Sequence, residues 1–158
     1  SAIIDSIEAK YMIDKSRVWA VGFSNGGMLS YRLACELSEK ITAIGVGAGS
    51  LMSKTCNTTK PVSIIHLHGA SDADIMFNGS GFYNTRDVVS NITTVNTQFG
   101  CTDVSATLSK IVGQTDWKWT CPNGTEVQVI KYDGQGHEWT FPWTKEVIKF
   151  LFAHPRMP

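Results

Sequence analysis

Residues 18–26, VWAVGFSNG, are the most informative segment of the sequence about its fold class. Its first part, residues 18–23, is short and apolar and predicts a buried β-strand. Residues 25–40 follow with apolar side chains at helical spacing, which predicts an amphipathic helix that packs on the sheet. A strand that turns directly into a helix is a building unit of α/β proteins, so this stretch indicates the fold class.

The turn between strand and helix carries the pattern G-x-S-x-G. With a strand before it and a helix after it, this pattern is typical of a strained turn, the nucleophile elbow, which raises a serine hydroxyl above the sheet. Gly22 and Gly26 are expected to make room for the turn. Ser24 is therefore the candidate nucleophile, and the N–H of Asn25 is the expected donor to an oxyanion. The alternative is that Ser24 is an ordinary helix N-cap.

Outward from this turn, helix-like and strand-like segments alternate along the chain, which predicts an α/β fold. The predicted strands lie at 18–23, 41–49, 61–67 and 126–132, with a β-like stretch at 106–119. The predicted helices lie at 2–11, 25–40, 86–99 and 145–152. In the second helix, Leu29, Leu33 and Leu37 stand four residues apart and are expected to face the sheet. We expect a mainly parallel sheet flanked by helices, in a single domain spanning residues 1–158.

The composition argues against two classes of partner. The 158 residues include 14 basic and 14 acidic side chains, without a basic run. A nucleic-acid binder or a protein of anionic membrane surfaces needs a positive surface that this balance does not provide. No apolar run reaches the roughly 18 to 20 residues of a membrane span. We therefore expect neither nucleic acid nor membrane as a partner.

A serine nucleophile needs an imidazole to take its proton. The chain has four histidines. His137 stands in the glycine-punctuated loop 133–137, directly after the last predicted strand, and is the candidate base. His66 lies in the middle of a strand, where a core histidine is the expected interpretation.

The base in turn needs a carboxylate that orients it. Asp72 follows the strand at 61–67, at the same sheet edge as Ser24 and His137. The order Ser24, Asp72, His137 is that of α/β-hydrolases and differs from those of chymotrypsin and subtilisin. Asp74 is the rival acid.

Cysteines and sequons bear on the compartment of the protein. An even count of cysteines permits two disulfides in three connectivities, and a zinc site is the alternative. The cysteines are Cys35, Cys56, Cys101 and Cys121. Four of the seven asparagines stand in N-x-S/T sequons, which indicates a secreted glycoprotein, with coincidence in a Thr-rich sequence as the alternative. They are Asn57, Asn78, Asn91 and Asn123.

Several segments together resemble a known family nearly end to end. They are residues 18–28, 31–37, 68–72 followed by Asn78-Gly79, and 134–139. The sequence resembles the secreted esterases grouped as polyhydroxybutyrate depolymerases and feruloyl esterases. The resemblance implies an α/β-hydrolase with its triad on Ser24, Asp72 and His137, without a metal or cofactor. It also implies disulfides between Cys35 and Cys56 and between Cys101 and Cys121.

Two departures from that family matter. Gln135 replaces a glycine of the histidine loop, and Pro142 comes late. No stretch before Ser24 matches the family loop that supplies a second oxyanion N–H, so we expect the chain to be the C-terminal two-thirds of an α/β-hydrolase catalytic domain. The strand at 18–23 then becomes a sheet edge, which we expect to be covered by a second copy or by an N-terminal partner segment.

The sequence thus predicts an extracellular serine esterase of feruloyl or hydroxyalkanoate type, acting on plant cell-wall or polyester esters. Trp139, Phe141 and Trp143 follow the base and are expected to wall the substrate pocket, with core packing as the alternative. Two other functions stay open: a serine peptidase of the same fold, and a catalytically incomplete chain that acts as a binding or assembly module.

Overall fold

The computed structural model describes residues 1–81, 83–101 and 107–156. Within them, six strands form one sheet in the order β1-β2-β3-β6-β5-β4. The strands are β1 Trp19–Phe23, β2 Ala43–Gly47, β3 Ser63–Gly69, β4 Thr107–Ile111, β5 Gln114–Thr120 and β6 Glu126–Tyr132. The α-helices are α1 Ala2–Glu8, α2 Asn25–Glu36, α3 Val88–Phe99 and α4 Phe141–Ala153. Short 3₁₀ helices lie at Lys15–Arg17 and Pro122–Gly124.

The sheet is mainly parallel, as the sequence predicts. β1, β2, β3 and β6 pair in parallel, and β5 and β4 add an antiparallel hairpin at one edge. This hairpin is the β-like stretch predicted at 106–119, of which Ala106 lies outside the described residues. Every residue of β2 and β3 is buried, because a parallel sheet is covered by helices on both faces.

Two hydrophobic clusters cover the two faces, and alternate residues of β3 divide between them. Ile64 packs with residues of α2 and α3, and Ile65 packs with residues of α4. The predicted leucine face of α2 is correct in part: Leu33 and Leu37 pack against the core, whereas Leu29 is 54% exposed. The buried positions of α2 are Gly27, Ser30, Tyr31, Ala34 and Cys35. A Cβ on Gly27 would lie 3.0 Å from Val46, so α2 turns its small residues to the sheet because the two approach closely.

Both implied disulfides are present. Cys35–Cys56 joins α2 to the loop after β2, and Cys101–Cys121 joins the end of α3 to the end of β5. The bonds use all four cysteines of the chain, which rules out the zinc alternative. Each loop spans about 20 residues, a length at which a disulfide contributes roughly 3 kcal/mol by restricting the unfolded chain.

β1 lies at the edge of the sheet, as predicted. Val21 in its centre is 50% exposed. On the α4 side, Trp19 meets Phe152 edge to face, with ring centroids 4.9 Å apart, and Phe152 is itself 60% exposed. Among the described residues, nothing pairs with the outer side of β1, so this edge presents apolar side chains beside unpaired backbone groups. Within the described ranges, no helix is long and apolar enough to cross a membrane.

Candidate active site

Ser24 occupies a strained turn between β1 and α2. Its φ of 54° and ψ of −120° lie in a region that side-chain-bearing residues rarely adopt. The Ser24 N–H donates to the carbonyl of Gly47 at 2.8 Å, which ties the turn to β2. A Cβ on Gly22 would lie 2.1 Å from the carbonyl carbon of Gly26, so the turn requires glycine at 22. A Cβ on Gly26 would meet nothing within 4 Å, so the expectation that Gly26 makes room is wrong.

Backbone N–H groups at the start of α2 surround the serine. The first hydrogen bond of the helix runs from the N–H of Met28 to the carbonyl of Ser24, at 3.0 Å. The N–H of Asn25 therefore has no partner within the helix and lies at the positive end of its dipole. The Ser24 side chain makes no capping hydrogen bond, so the alternative of an ordinary N-cap is wrong.

The three residues predicted as a triad are hydrogen-bonded in sequence. Ser24 Oγ lies 2.9 Å from His137 Nε2, and His137 Nδ1 lies 2.8 Å from Asp72 Oδ2. The residues stand 113 and 65 positions apart along the chain. They meet because β1, β3 and β6 run in parallel and end at one edge, where the loops after them begin. Among them, Asp72 is buried and His137 is half-buried.

Asp72 is held as a carboxylate. Its Oδ1 accepts hydrogen bonds from the N–H groups of Asp74 and Ile75, at 2.9 and 2.8 Å. Burial by itself raises the pKa of Asp72, but hydrogen bonds from His68, His137 and the Ile75 N–H lower that pKa to about 2. The rival acid, Asp74, is exposed and contributes its backbone N–H to Asp72.

In the described part of the chain, one group of side chains has metal-ligating atoms close together. Asp72, Asp74 and His137 each offer an atom, all within 4.8 Å of one another. Both oxygens of Asp72 and both ring nitrogens of His137 already lie in the hydrogen bonds described above. The arrangement is therefore built for proton transfer between side chains.

Two aromatic side chains lie in series beside His137, the candidate base. Phe23, directly before the serine, lies against the His137 ring at 4.7 Å between centroids, and Trp139 meets Phe23 edge to face at 6.5 Å. The Trp139 indole N–H donates to Thr144 Oγ1 at 2.8 Å. Gly47 lies beneath this indole, since a Cβ there would approach it to 2.6 Å. Phe23 is not among the site residues that the sequence predicts, although its place next to the serine is a usable signal.

The three aromatic residues predicted to wall a pocket lie in different environments. Trp143 is fully buried and stacks on Tyr132 at 5.6 Å, so the expectation that it walls a substrate pocket is wrong. Its place in the first turn of α4 points it into the core. Trp139 is half-buried beside the base, and Phe141 is 72% exposed.

A cleft of about 650 Å³ opens beside α2, and its lining begins at Met28, one helical turn after Ser24. Its apolar lining is Met28, Leu29, Leu51 and Met52. Arg32 and Glu36, which form an ion pair at 2.8 Å, also line it. None of the three predicted aromatic residues contributes to this cleft.

Comparison with known proteins gives a family for this arrangement. The Phospholipase/Carboxylesterase family model matches residues 1–106. The chain belongs to this family. Among curated relatives, a probable feruloyl esterase C of Aspergillus niger is 32% identical over 139 residues, which cover 87% of this chain and 48% of that protein. A bifunctional acetylxylan esterase/xylanase of Neocallimastix patriciarum is 29% identical over 143 residues, 87% of this chain and 20% of that protein.

Two solved structures of other proteins superpose on this chain and show the same fold. An acetyl xylan esterase from Aspergillus awamori superposes with a TM-score of 0.65 at 17% identity, covering 91% of this chain and 62% of that one. SOBER1 of Arabidopsis thaliana superposes with a TM-score of 0.61 at 15% identity, covering 96% and 59%. The fold is that of α/β-hydrolases, and the chain spans about half the length of the Aspergillus niger relative.

Proposed function

We propose that this family member is the catalytic part of a serine esterase that hydrolyses carboxylic esters. The observation that carries the proposal is the hydrogen-bonded series Ser24–His137–Asp72, which begins at a strained turn on a helix N-terminus. A serine that merely caps a helix has no need of an imidazole at 2.9 Å backed by a buried carboxylate. These are the parts of a general-base-activated nucleophile.

In the proposed reaction, Ser24 Oγ attacks the ester carbonyl carbon while its proton passes to His137 Nε2. The carbonyl oxygen becomes an oxyanion, which accepts a hydrogen bond from the N–H of Asn25. Collapse of this intermediate breaks the ester bond, and the alcohol leaves with the proton from His137. Water then attacks the acyl-serine by the same route and releases the acid. Asp72 keeps the His137 proton on Nδ1 and stabilises the imidazolium.

The substrate class is proposed from the relatives' names, feruloyl esterase and acetylxylan esterase. We propose esters of the plant cell wall, with hydroxyalkanoate polyesters as the second candidate. Trp139 supports an aromatic acyl group because its half-buried ring lies close to Phe23, which itself contacts the base. Phe141 is proposed as an exposed contact for the rest of the substrate.

The β1 edge is proposed to accept a further strand. Its half-exposed Val21 and its place at the end of the sheet leave backbone groups available for pairing. We propose an N-terminal segment for this role over a second copy of β1; the matched region is 48% of the Aspergillus niger relative, which leaves room for such a segment in that protein. We propose that this segment also supplies a second oxyanion donor, since loss of one such donor costs about 10²- to 10³-fold in rate.

An extracellular location is proposed from the two disulfides, which persist in oxidising compartments. Three sequon asparagines are exposed: Asn57, Asn78 and Asn123. The fourth, Asn91, is fully buried in α3, and its amide donates to Ser50 Oγ at 2.8 Å. We therefore propose glycans at the three exposed sites, whereas a glycan on Asn91 is incompatible with this packing.

The proposal is tested by turnover of nitrophenyl acetate, methyl ferulate and a peptide anilide, together with labelling by a fluorophosphonate. We expect hydrolysis of the esters, no hydrolysis of the anilide, and one label, on Ser24. Preferred cleavage of the anilide would instead identify a peptidase. If the folded protein shows no turnover and no labelling, a binding or assembly module is indicated instead. Solution mass with and without an added N-terminal segment tests the strand proposal.

A further inference from the structure

Two buried histidines that the proposed reaction does not use lie next to the acid. His66 and His68 point to the same face of β3, because side chains two residues apart share a face, and both are fully buried. Tyr31 of α2 reaches the first with its Oη 2.7 Å from His66 Nδ1. His66 Nε2 lies 2.9 Å from His68 Nδ1. His68 Nε2 lies 2.6 Å from the Ile75 carbonyl oxygen and 3.4 Å from Asp72 Oδ2.

These contacts form one continuous series, here called the histidine chain: Tyr31, His66 and His68. The acceptors decide where its protons are. His68 Nε2 faces a carbonyl and a carboxylate, which only accept, so this nitrogen carries a proton. In a neutral ring the other nitrogen then accepts, and His66 must donate to it from Nε2. His66 Nδ1 is in turn an acceptor for the Tyr31 hydroxyl, so every donor in the chain points toward the acid.

The surroundings of His66 and Tyr31 favour the uncharged forms of these two side chains. Burial lowers the pKa of His66 well below its ordinary value. Burial also raises the pKa of Tyr31, which remains a hydroxyl donor. An uncharged His66 has one ring proton, and the direction described above is the one in which that proton and the Tyr31 hydroxyl both find acceptors.

We propose that Tyr31, His66 and His68 are positioning residues that hold the acid loop against the helix of the nucleophile. His68 binds the carbonyl of Ile75, and the N–H of the same residue donates to Asp72 Oδ1. The other end of the chain lies on α2, the helix that starts at the serine. The histidine chain thus connects nucleophile and acid through the core, independently of the base that bridges them at the surface.

This inference rests on the proposed function, but its proton arrangement is measurable without turnover. In a ¹⁵N–¹H spectrum of the histidine rings at pH 7, we expect His66 and His68 each to show a protonated Nε2 and an unprotonated Nδ1. A doubly protonated His68, or a proton on Nδ1 of His66, would overturn the inference. If the wild-type protein hydrolyses no ester, the proposed function fails, and this spectrum still decides the arrangement of the chain.

The positioning role is tested by removing the first donor. Tyr31→Phe keeps the volume of the ring and removes one hydrogen bond, so we expect kcat to fall roughly two- to tenfold with KM unchanged. Tyr132→Phe is the matched control, because its hydroxyl lies outside the histidine chain, and its kcat should stay at the wild-type value. An unchanged kcat in Tyr31→Phe would show that the chain is only structural.

The last donor is tested by two substitutions of His68. Gln can place an N–H close to the position of Nε2, whereas Leu cannot. We expect His68→Leu to lower kcat about 10- to 100-fold, because the acid loop loses its anchor, and His68→Gln to recover several-fold of that loss. Near-UV circular dichroism checks that both variants fold. Equal kcat in two folded variants would overturn the role of His68, and if His68→Leu does not fold, Tyr31→Phe and the ring spectrum decide.

Discussion

The proposed nucleophile, Ser24, and the proposed acid, Asp72, are held in place by different means. Backbone packing holds Ser24, which has a φ of 54°. A Cβ on the neighbouring Gly22 would lie only 2.1 Å from the carbonyl carbon of Gly26. Hydrogen bonds hold Asp72, which accepts from two backbone N–H groups and from His137. The first region should therefore be sensitive to added volume, and the second to loss of a donor or of charge.

The largest loss of activity is expected from replacing Ser24, which gives up the proton, or His137, which accepts it. In Ser24→Ala the attacking atom is absent, so we expect kcat on nitrophenyl acetate to fall about 10⁶-fold, with the far-UV circular dichroism unchanged. His137→Ala should lose nearly as much, because residues that act as a unit are not additive. Ester turnover that survives in Ser24→Ala would refute the assignment of the nucleophile.

Replacing the proposed acid, Asp72, is expected to give the next largest loss of activity. Asp72→Asn removes the charge that orients the base and stabilises its protonated form, so we expect kcat to fall about 10³- to 10⁴-fold, less than for Ser24→Ala. Asp74→Asn is the control, because the exposed residue contributes only its backbone N–H, and turnover should change little. The reverse result, a silent Asp72→Asn and a damaging Asp74→Asn, would make Asp74 the acid.

Volume at the elbow gives the third test. In Gly22→Ala the new methyl group meets backbone that cannot move aside, and we expect a loss of about 3 kcal/mol or more in the free energy of unfolding. Gly26→Ala points its methyl group into open space and should be neutral or slightly stabilising, since alanine favours helices. Urea unfolding of both variants measures the difference, and equal values would show that packing does not define the turn.

The smallest effect is the pH dependence of stability that Asp72 contributes. Its pKa is lowered to about 2 in the folded protein, from an ordinary 3.8, so it stabilises the fold above pH 4, and the contribution disappears as the pH falls toward 2. Allowing for solvent screening, we expect on the order of 1 to 2 kcal/mol. Unfolding of wild type and Asp72→Asn, compared at pH 7 and pH 2.5, should show a gap that narrows at the lower pH. A constant gap would contradict the lowered pKa.

Consecutive residues determined much of the fold. The strand, turn and helix around Ser24 follow from patterns shorter than twenty residues, because local spacing reports which side of an element is apolar. The mainly parallel sheet follows from the alternation of helices and strands along the chain. Spacing alone placed Leu29 on the buried face of α2, whereas Leu29 is exposed and Gly27 lies against Val46 of the sheet. Which face packs depends on how closely the helix approaches β2, and that distance is a property of the assembled core.

Local patterns in the sequence identified the candidate site residues, because a G-x-S-x-G turn, a loop histidine and an aspartate after a strand each carry a local signal. The packing of the elements against one another decided that Ser24, His137 and Asp72 lie within hydrogen-bonding distance, that Trp143 belongs to the core, and that Asn91 is buried. It also decided that His66 and His68 connect α2 to the acid loop. The physical reason is that hydrogen bonds and burial depend on distances between elements, and those are set by packing over more than one hundred residues of chain.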